Sequence, residues 1–278
     1  MLIRVIENRE LEFAHNLTKN EGWDTFKNEL KILFLCSPKG FFIAEKRNKP
    51  IGIVSTINYG NFGFIGNLIV VKTSRGEGVG TDLMNHAINY LKSKGLKNIM
   101  IDAVPEIAPL YEKLGFTPVC RSLRLEGEVY SHKMSKLVHI MTKDNIHKVL
   151  KLDREHFKGD RKCLLKEHYK AYPNYCYVLE RSKDIKGFIM FHPKKDYLSV
   201  GPWIVDKDEL NPQILLQSLN FKNNYIKMRI GVLESNQIST KILYSLQFIE
   251  YSYSIRMVLG EFFSQPDSVF CIAGPDRG

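Results

Sequence analysis

The connection between a predicted apolar strand and a predicted amphipathic helix constrains this chain more than any other stretch. It consists of Arg75, Gly76, Glu77, Gly78, Val79 and Gly80. Three glycines in six residues allow the backbone to bend until several N–H groups point to one side. The helix that follows adds its unpaired first-turn N–H groups and the positive end of its dipole. The connection therefore predicts a binding site for a polyphosphate anion, as carried by a nucleotide or a coenzyme.

Length and composition predict an ordinary globular protein of about two domains. The chain has 278 residues, of which 25% are charged and 44% hydrophobic. No apolar run approaches the roughly 18 residues that would indicate a membrane span, so no membrane association is expected. Arg4 and Glu7 interrupt the stretch where a signal peptide would have its apolar core. A cytoplasmic location is the expectation.

Cysteines and charge narrow the function classes further. The five cysteines are odd in number and include no C-x-x-C pair, which predicts reduced thiols and no zinc site; they are Cys36, Cys120, Cys163, Cys176 and Cys271. The histidines show no metal-ligand spacing, so no metal is expected. The net charge is +10, but the basic residues are scattered and never form a run of five. Nucleic-acid binding is therefore not expected.

Periodicity in the first 125 residues predicts alternating strands and helices. The predicted strands cover residues 2–6, 41–45, 51–58, 62–71 and 98–104, and the predicted helices residues 10–20, 79–94 and 106–114. Gly95 stands where a helix C-cap belongs. The pattern indicates an antiparallel meander that leads into a strand, the glycine-rich connection, a helix, a strand and a second helix.

The second half repeats this outline weakly. At an offset of 132 residues, Ser122 falls on Ser254 and Arg124 on Arg256, and the tripeptide at 114–116 matches the one at 246–248. We interpret this as an internal duplication, with a chance match as the alternative. The predicted domains are residues 1–125 and 137–278, joined by a polar linker at 126–136.

In the second half, the stretch after the corresponding strand is residues 206–212, which contain no glycine. It carries three acidic side chains that would repel phosphate, and these are Asp206, Asp208 and Glu209. Only the first half is therefore expected to bind the anion.

Three kinds of phosphate-binding loop compete for the glycine-rich connection. A Walker A loop requires G-x-x-x-x-G-K-[ST], which does not occur in the sequence. A dinucleotide fingerprint requires G-x-G-x-x-G, whereas these glycines follow G-x-G-x-G. Asp102 lies near the position of a ribose-binding acid, but a predicted antiparallel hairpin precedes the loop where a Rossmann unit has parallel strands. The third pattern is R-x-x-G-x-G, which Arg75, Gly78 and Gly80 satisfy.

That third pattern leads to a family resemblance. Residues 67–81, NLIVVKTSRGEGVGT, resemble the acetyl-CoA-binding motif of the GNAT family of N-acetyltransferases, and residues 109–116, PLYEKLGF, resemble its second signature. Residues 22–24, 62–66 and 153–157 are similar to GNAT proteins with a second, degenerate GNAT-like domain. The resemblance implies an α/β (α+β) fold of two tandem GNAT-like domains, each with a mixed, mostly antiparallel sheet flanked by helices.

The resemblance also implies residue roles. The backbone N–H groups of the glycine-rich connection would bind the CoA pyrophosphate, with Thr81 as a hydroxyl contact. The backbone of Leu68, Ile69 and Val70 would pair with the pantetheine arm, although any buried strand could contain these residues. Tyr111 would lie near the thioester sulfur and protonate the departing thiolate. A phenol has a pKa near 10 and a thiol one near 8.5, so this transfer is uphill by roughly 2 kcal/mol. Tyr111 would need a lowered pKa, or would act as a hydrogen-bond donor.

Two carboxylates, Asp102 and Glu106, are candidates for the general base that deprotonates the amine, and either could instead be a solvated or helix-capping acid. Family members often carry an asparagine near position 106, which Pro105 and Glu106 replace here. The expected activity is transfer of an acetyl group from acetyl-CoA to a small primary amine by direct attack in a ternary complex. The alternative is a non-catalytic acyl-CoA sensor. The identity of the acceptor amine stays open, and so does the choice between a monomer and a homodimer.

Overall fold

The structure is a computed structural model that describes residues 1–130, 135–209, 211–217, 225–262 and 264–278. Within those residues, thirteen strands join in one mixed sheet. The first half contributes strands β1 (Leu2–Val5), β2 (Phe41–Lys46), β3 (Lys49–Asn58), β4 (Gly63–Val70), β5 (Ile99–Ala103) and β6 (Thr117–Tyr130), and helices α1 (Leu11–Asn20), α2 (Lys27–Cys36), α3 (Val79–Ser93) and α4 (Ala108–Lys113).

The second half repeats the same order of elements. Its strands are β7 (Val138–Ile140), β8 (Cys176–Arg181), β9 (Asp184–Pro193), β10 (Leu198–Val205), β11 (Tyr225–Leu233), β12 (Ile249–Leu259) and β13 (Val269–Cys271), and its helices are α5 (Ile146–Phe157), α6 (Lys162–Ala171), α7 (Ile214–Gln217) and α8 (Gln237–Ser245). One face of the sheet is covered by α1, α2, α5 and α6, whose apolar side chains share a core. On the other face, α3 and α4 form one core and α7 and α8 another.

The predicted elements of the first half form close to their expected bounds. Helix α3 begins at Val79, and all six residues of its apolar stripe are buried, which are Val79, Leu83, Met84, Ala87, Ile88 and Leu91. Gly95 follows with φ +82°, the left-handed conformation that ends a helix. Helix α2 was not among the predicted elements. The second half of its sequence, KNELKILFLC, is almost entirely apolar, so apolar and polar residues alternate only weakly at helical spacing.

The two halves exchange their long strands. The sheet order runs β5–β12–β6–β11, so β12 of the second half completes the sheet of the first, and β6 of the first half pairs with β11 of the second. In the antiparallel β6–β12 pair, Ser122 lies opposite Ser254. Residues predicted to correspond by duplication thus meet across one strand pair, as two halves related by an approximate two-fold axis require.

The first five residues of the predicted linker at 126–136 belong to β6, which continues to Tyr130. Glu126 links this polar stretch to the neighbouring β11, where its carboxylate forms ion pairs with Lys227 at 2.8 Å and Arg229 at 2.7 Å. Residues 131–134 of the linker lie outside the described residues. The division of the chain into residues 1–125 and 137–278 stays a prediction.

The prediction of five reduced cysteines is also wrong for two of them. Cys36 at the end of α2 and Cys163 in α6 form a disulfide, with their Cα atoms 5.5 Å apart. The two residues are 127 positions apart in the sequence, so only the packing of α2 on α6 brings them together. Structural disulfides form and persist mainly in oxidising compartments. These two cysteines therefore no longer support the expectation of a reducing compartment. Among the helices that the structure describes, none has the length and apolar character to cross a bilayer.

Candidate functional site: an open strand edge and a glycine-rich helix start

The connection between β4 and α3 has the bent backbone that its glycines predict. Gly76 has φ +78° and Gly78 has φ +84°, where a residue with a side chain would cost about 1–2 kcal/mol. A Cβ atom at either position would meet no other atom within 4 Å. The requirement for glycine is therefore conformational, and the outer side of the connection is open. At Gly80 a Cβ would contact only Val70 Cγ2, at 3.8 Å.

The amide groups of this connection are free to bind an anion. The first backbone hydrogen bond of α3 runs from the Asp82 N–H to the Gly78 carbonyl, at 3.0 Å. Within the described part of the chain, the N–H groups of residues 76–81 have no acceptor. Six consecutive unpaired donors at the positive end of a helix dipole are an arrangement that favours phosphate groups, so these residues stay the candidates for the predicted anion site.

The two charged side chains of the connection bind other parts of the protein. Arg75 Nε donates to the Val70 carbonyl at 3.0 Å, and its Nη2 donates to the Glu21 carboxylate. The Arg75 N–H donates to the Lys72 carbonyl at 3.4 Å, so Arg75 does not add its amide to the predicted phosphate-binding set. Glu77 forms an ion pair with Lys46 at 2.7 Å. These contacts fix the connection from outside and leave its amides unobstructed.

Strand β4 separates from β5 before it reaches the connection. The parallel pairing of β4 with β5 ends at Ile65 opposite Ile101, whereas pairing with β3 continues to Val70. Beyond Ile65, the edge of β4 that faces β5 has no strand partner among the described residues. The predicted pantetheine-binding residues Leu68, Ile69 and Val70 lie on this open edge. Free backbone groups along an edge can pair with an extended amide-containing ligand.

A bulge in β4 lies where the two strands separate. Ile53 lies opposite Ile69 but Ser55 lies opposite Gly66, so β4 has one extra residue there. Asn67, inside the bulge, has φ +51°, a left-handed conformation that asparagine tolerates better than most residues. Its side-chain Nδ2 lies 3.1 Å from Ser55 Oγ and 3.1 Å from Asp276 Oδ2. The sequence analysis did not find Asn67, since its conformation depends on partners far along the chain.

Tyr111 lies in α4 with its side chain buried. It belongs to the apolar cluster that also contains Val79 of α3 and Ala103 of β5. Burial raises the pKa of Tyr111 to about 12, so the hydroxyl keeps its proton at all ordinary pH values. That hydroxyl has no hydrogen-bond partner among the described residues. Of the two roles expected for Tyr111, the raised pKa favours hydrogen-bond donation over full proton transfer.

Asp102 is unsuited to the predicted role of general base. Its side chain is fully buried and forms ion pairs with Arg256 Nε at 2.5 Å and Arg124 Nη2 at 3.4 Å. Ser122 Oγ donates to the same carboxylate at 2.9 Å. Burial alone would raise the pKa of Asp102, but Arg256 and Arg124 hold it below its ordinary value. The carboxylate has little tendency to take a proton and instead joins the two halves.

Glu106 lies on the 3-10 turn Pro105–Ile107 just before α4, with its side chain exposed. No ion pair involves it in the described part of the chain. Of the two carboxylates predicted as bases, only Glu106 is accessible to solvent. In that same part of the chain, no group of three or more His, Cys, Asp or Glu side chains could hold a metal ion.

A surface cleft of about 490 Å³ lies at the connection between α1 and α2. The second half holds this connection in place: the Tyr197 hydroxyl lies 2.5 Å from Asp24 Oδ2, and Lys194 Nζ lies 2.5 Å from the Glu29 carboxylate. The cleft carries charges of both signs and two aromatic rings, and its lining consists of His15, Lys19, Trp23, Asp24, Thr25, Phe26, Lys27 and Asn28.

The second half has a corresponding separation, but its own chain fills it. Strand β10 pairs in parallel with β11 only from Leu198 to Val200. Beyond that point β13 pairs with β10, with Cys271 opposite Trp203, and the Ile272 N–H donates to the Gly231 carbonyl of β11 at 3.0 Å. The open edge therefore exists in the first half and is closed in the second.

Comparison with known proteins gives a consistent assignment. A family model described as "Acetyltransferase (GNAT) family" matches residues 6–116, and one described as "Acetyltransferase (GNAT) domain" matches residues 149–270. A holothin acyltransferase of Pseudoalteromonas sp. is 25% identical over 66% of this chain and 62% of its own length. An uncharacterized N-acetyltransferase of Methanocaldococcus jannaschii is 33% identical over 28% of this chain and 38% of its own. The chain thus spans less than two thirds of these relatives.

Solved structures share the fold across the whole chain. A Pyrococcus horikoshii protein provisionally described as an acetyltransferase has a TM-score of 0.82 at 20% identity, covering 100% of this chain and 95% of its own. A tandem GNAT protein from the clavulanic acid biosynthesis pathway has a TM-score of 0.63 at 10% identity, covering 94% and 99%. Together with the open edge of β4, the glycine-rich start of α3 and the repeated order of elements, these matches show that the chain belongs to the GNAT family and has two GNAT domains.

Proposed function

We propose that the chain transfers an acetyl group from acetyl-CoA to a small primary amine, with catalysis in the first half. The observation that carries this proposal is the continuity of two binding features: the open edge at Leu68, Ile69 and Val70 leads directly to the six free amides of residues 76–81. An extended pantetheine arm followed by a pyrophosphate matches that order of backbone edge and anion site.

The reaction would be direct attack of a neutral amine on the thioester carbonyl. Catalysis then rests on holding the two reactants together and on hydrogen bonds to the developing charges. The Tyr111 hydroxyl would keep its proton and donate a hydrogen bond to the departing thiolate sulfur. Glu106, directly or through water, would accept the proton that the amine loses, because Asp102 is committed to Arg256 and Arg124.

The acceptor would enter beside the connection between α1 and α2, where the second half forms one wall through Lys194 and Tyr197. The lining carries both charge signs, which favours a small acceptor of mixed polarity over a polyamine or a strongly anionic substrate. The name of one relative gives holothin as the acceptor of that protein, so holothin and other small amines belong in the first substrate panel.

The test is to incubate the purified chain with acetyl-CoA and a panel of small amines. Free CoA would be quantified by chromatography and acetylated products by mass spectrometry, since the partly exposed thiol of Cys120 would react with thiol-detecting dyes. We expect CoA release that depends on one class of amine. Acetyl-CoA that binds without turnover on any amine would favour the sensor alternative, and failure to bind acetyl-CoA would refute the proposal.

A further inference from the structure

Residues 273–278, which follow β13, lie against the bulge of β4 in the other half. A Cβ atom on Gly66 would come within 2.4 Å of the Asp276 carbonyl oxygen, and one on Gly278 within 3.1 Å of the Phe64 ring. The Tyr59 hydroxyl donates to the Arg277 carbonyl. The segment therefore packs on β4 at the point where β4 leaves β5.

The same stretch of chain touches the corresponding bulge of the second half. Pairing of β10 with β9 shifts between Val200 and Trp203, and a Cβ on Gly201 would come within 2.1 Å of the Ile272 carbonyl oxygen. Ile272 and Asp276 are only four positions apart in the sequence. One short segment thus contacts both bulges, closing the separation in the second half and bordering it in the first.

Asp276 makes the polar contact to the first bulge. Its Oδ2 accepts from Asn67 Nδ2 at 3.1 Å and from Arg277 Nη2 at 2.9 Å, and its Oδ1 accepts from Arg277 Nε at 2.7 Å. Asp276, Arg277 and Asn67 are all buried. Burial would raise the pKa of Asp276, but the Arg277 guanidinium holds it below its ordinary value, so the carboxylate is charged and accepts strongly from Asn67.

We propose that Asp276 is a positioning residue for acyl-CoA binding, which keeps β4 separated from β5 by holding Asn67 in its left-handed conformation. Asn67 pays a conformational penalty at φ +51°, and a charge-assisted hydrogen bond of about 1.5–3 kcal/mol offsets it. Without that bond, the extra residue of the bulge can relax, and the open edge at Leu68 to Val70 loses its fixed alignment with the free amides. The inference rests on the proposed function.

The donor and acceptor can be exchanged between the two positions. In Asn67→Asp, two buried carboxylates face each other, and the hydrogen bond is lost. In the double variant Asn67→Asp with Asp276→Asn, the amide of residue 276 donates to the carboxylate of residue 67, and the bond is restored in the opposite direction. Aspartate also tolerates the left-handed conformation. Because Asp276→Asn also removes the charge partner of the buried Arg277 guanidinium, the single variant Asp276→Asn is measured as the reference for that loss.

The first measurement is the Kd of CoA by calorimetry. We expect Asn67→Asp to raise the Kd about 10-fold to 150-fold, which is the stated hydrogen-bond energy converted at 1.4 kcal/mol per tenfold, and the double variant to recover most of the loss. The control is Val149→Ala in α5, a core residue of the second half, which should lower stability and leave the Kd unchanged. A Kd in Asn67→Asp equal to that of the unaltered chain would overturn the inference, as would loss of affinity in the Val149 control.

The second measurement is amide hydrogen exchange of β4 in the free protein, which does not depend on the proposed function. We expect faster exchange of residues 67–70 in Asn67→Asp and recovery in the double variant. If the unaltered chain fails to bind CoA but the exchange result holds, the proposed function is wrong and the anchoring of the bulge is right. Unchanged exchange in Asn67→Asp refutes the anchoring itself.

Discussion

The pKa of Tyr111 leads to a specific expectation for its role in catalysis. Burial raises this pKa to about 12, whereas a thiol has a pKa near 8.5. Full proton transfer from the phenol to the departing thiolate would then be uphill by about 3.5 units, or roughly 5 kcal/mol. A hydrogen bond from the phenol to the charged sulfur, by contrast, stabilises the transition state by about 1.5–3 kcal/mol.

Replacement of Tyr111 by phenylalanine should remove only that hydrogen bond. We expect kcat to fall about 10-fold to 150-fold, since each 1.36 kcal/mol changes the rate tenfold. The Kd of acetyl-CoA should change less than about twofold, because the bond forms fully only as charge develops on the sulfur. A matched control is Tyr90→Phe, which removes a phenol hydroxyl from α3, away from the glycine-rich end of that helix.

The assay is steady-state turnover from pH 6 to 10 for the unaltered chain and both variants. A donor that keeps its proton throughout this range predicts a constant ratio of rates at every pH. The folded-state pKa of Tyr111 exceeds its ordinary value, so its contribution to stability is complete below about pH 10 and is lost as pH rises toward 12; unfolding does not disturb the comparison. If the turnover rate of the unaltered chain changed with pH below pH 10, and this change were absent in Tyr111→Phe, the hydrogen-bond role would be refuted.

Three further results are expected. Gly78→Ala introduces left-handed strain of about 1–2 kcal/mol and should raise the Kd of acetyl-CoA about 5-fold to 30-fold in calorimetry; an unchanged Kd would contradict the assigned role of the loop. Asp102→Asn leaves Arg256 buried without its charge partner and should lower the free energy of unfolding in urea by about 3–5 kcal/mol at pH 7. Because the folded-state pKa of Asp102 lies below its ordinary 3.8, the ion pair stabilises above that pH, and the gap to the variant should narrow as pH falls further. A gap independent of pH down to the acid transition would be inconsistent with this. Reduction of the Cys36–Cys163 disulfide opens a loop of 127 residues and should cost about 2–5 kcal/mol; dithiothreitol should therefore shift the urea midpoint of the unaltered chain and not that of Cys36→Ser, and an equal shift in both would exclude the disulfide as the cause.

The sequence was sufficient for features that depend on neighbouring residues. The glycines at 76 and 78 adopt positive φ, and the apolar stripe of α3 is buried as its period predicts. Both follow from local geometry, in which a few adjacent residues determine the backbone. The order of the two motifs was enough to indicate the family, because each motif is a continuous stretch of sequence.

Features that depend on distant residues were missed. The sequence analysis left Asp102 as a candidate base or a solvated or helix-capping acid, because Arg256, which neutralises it, is 154 positions away. Cys36 and Cys163 gave no paired spacing, since helix packing alone brings them together. Asn67 carries no sequence signal of its own, and its conformation depends on Asp276. These three cases share one cause, which is that a single sequence does not state which distant segments meet.

The exchange of β6 and β12 has a consequence for how the protein is made. Strand β5 ends at Ala103, but its partner Ile255 is synthesised about 150 residues later, which at roughly 5–20 residues per second takes about 8–30 seconds. During that time the emerging first half has an unpaired strand edge, the kind of surface that promotes aggregation. The sheet of the first half is therefore completed only near the end of translation, when β12 has been synthesised.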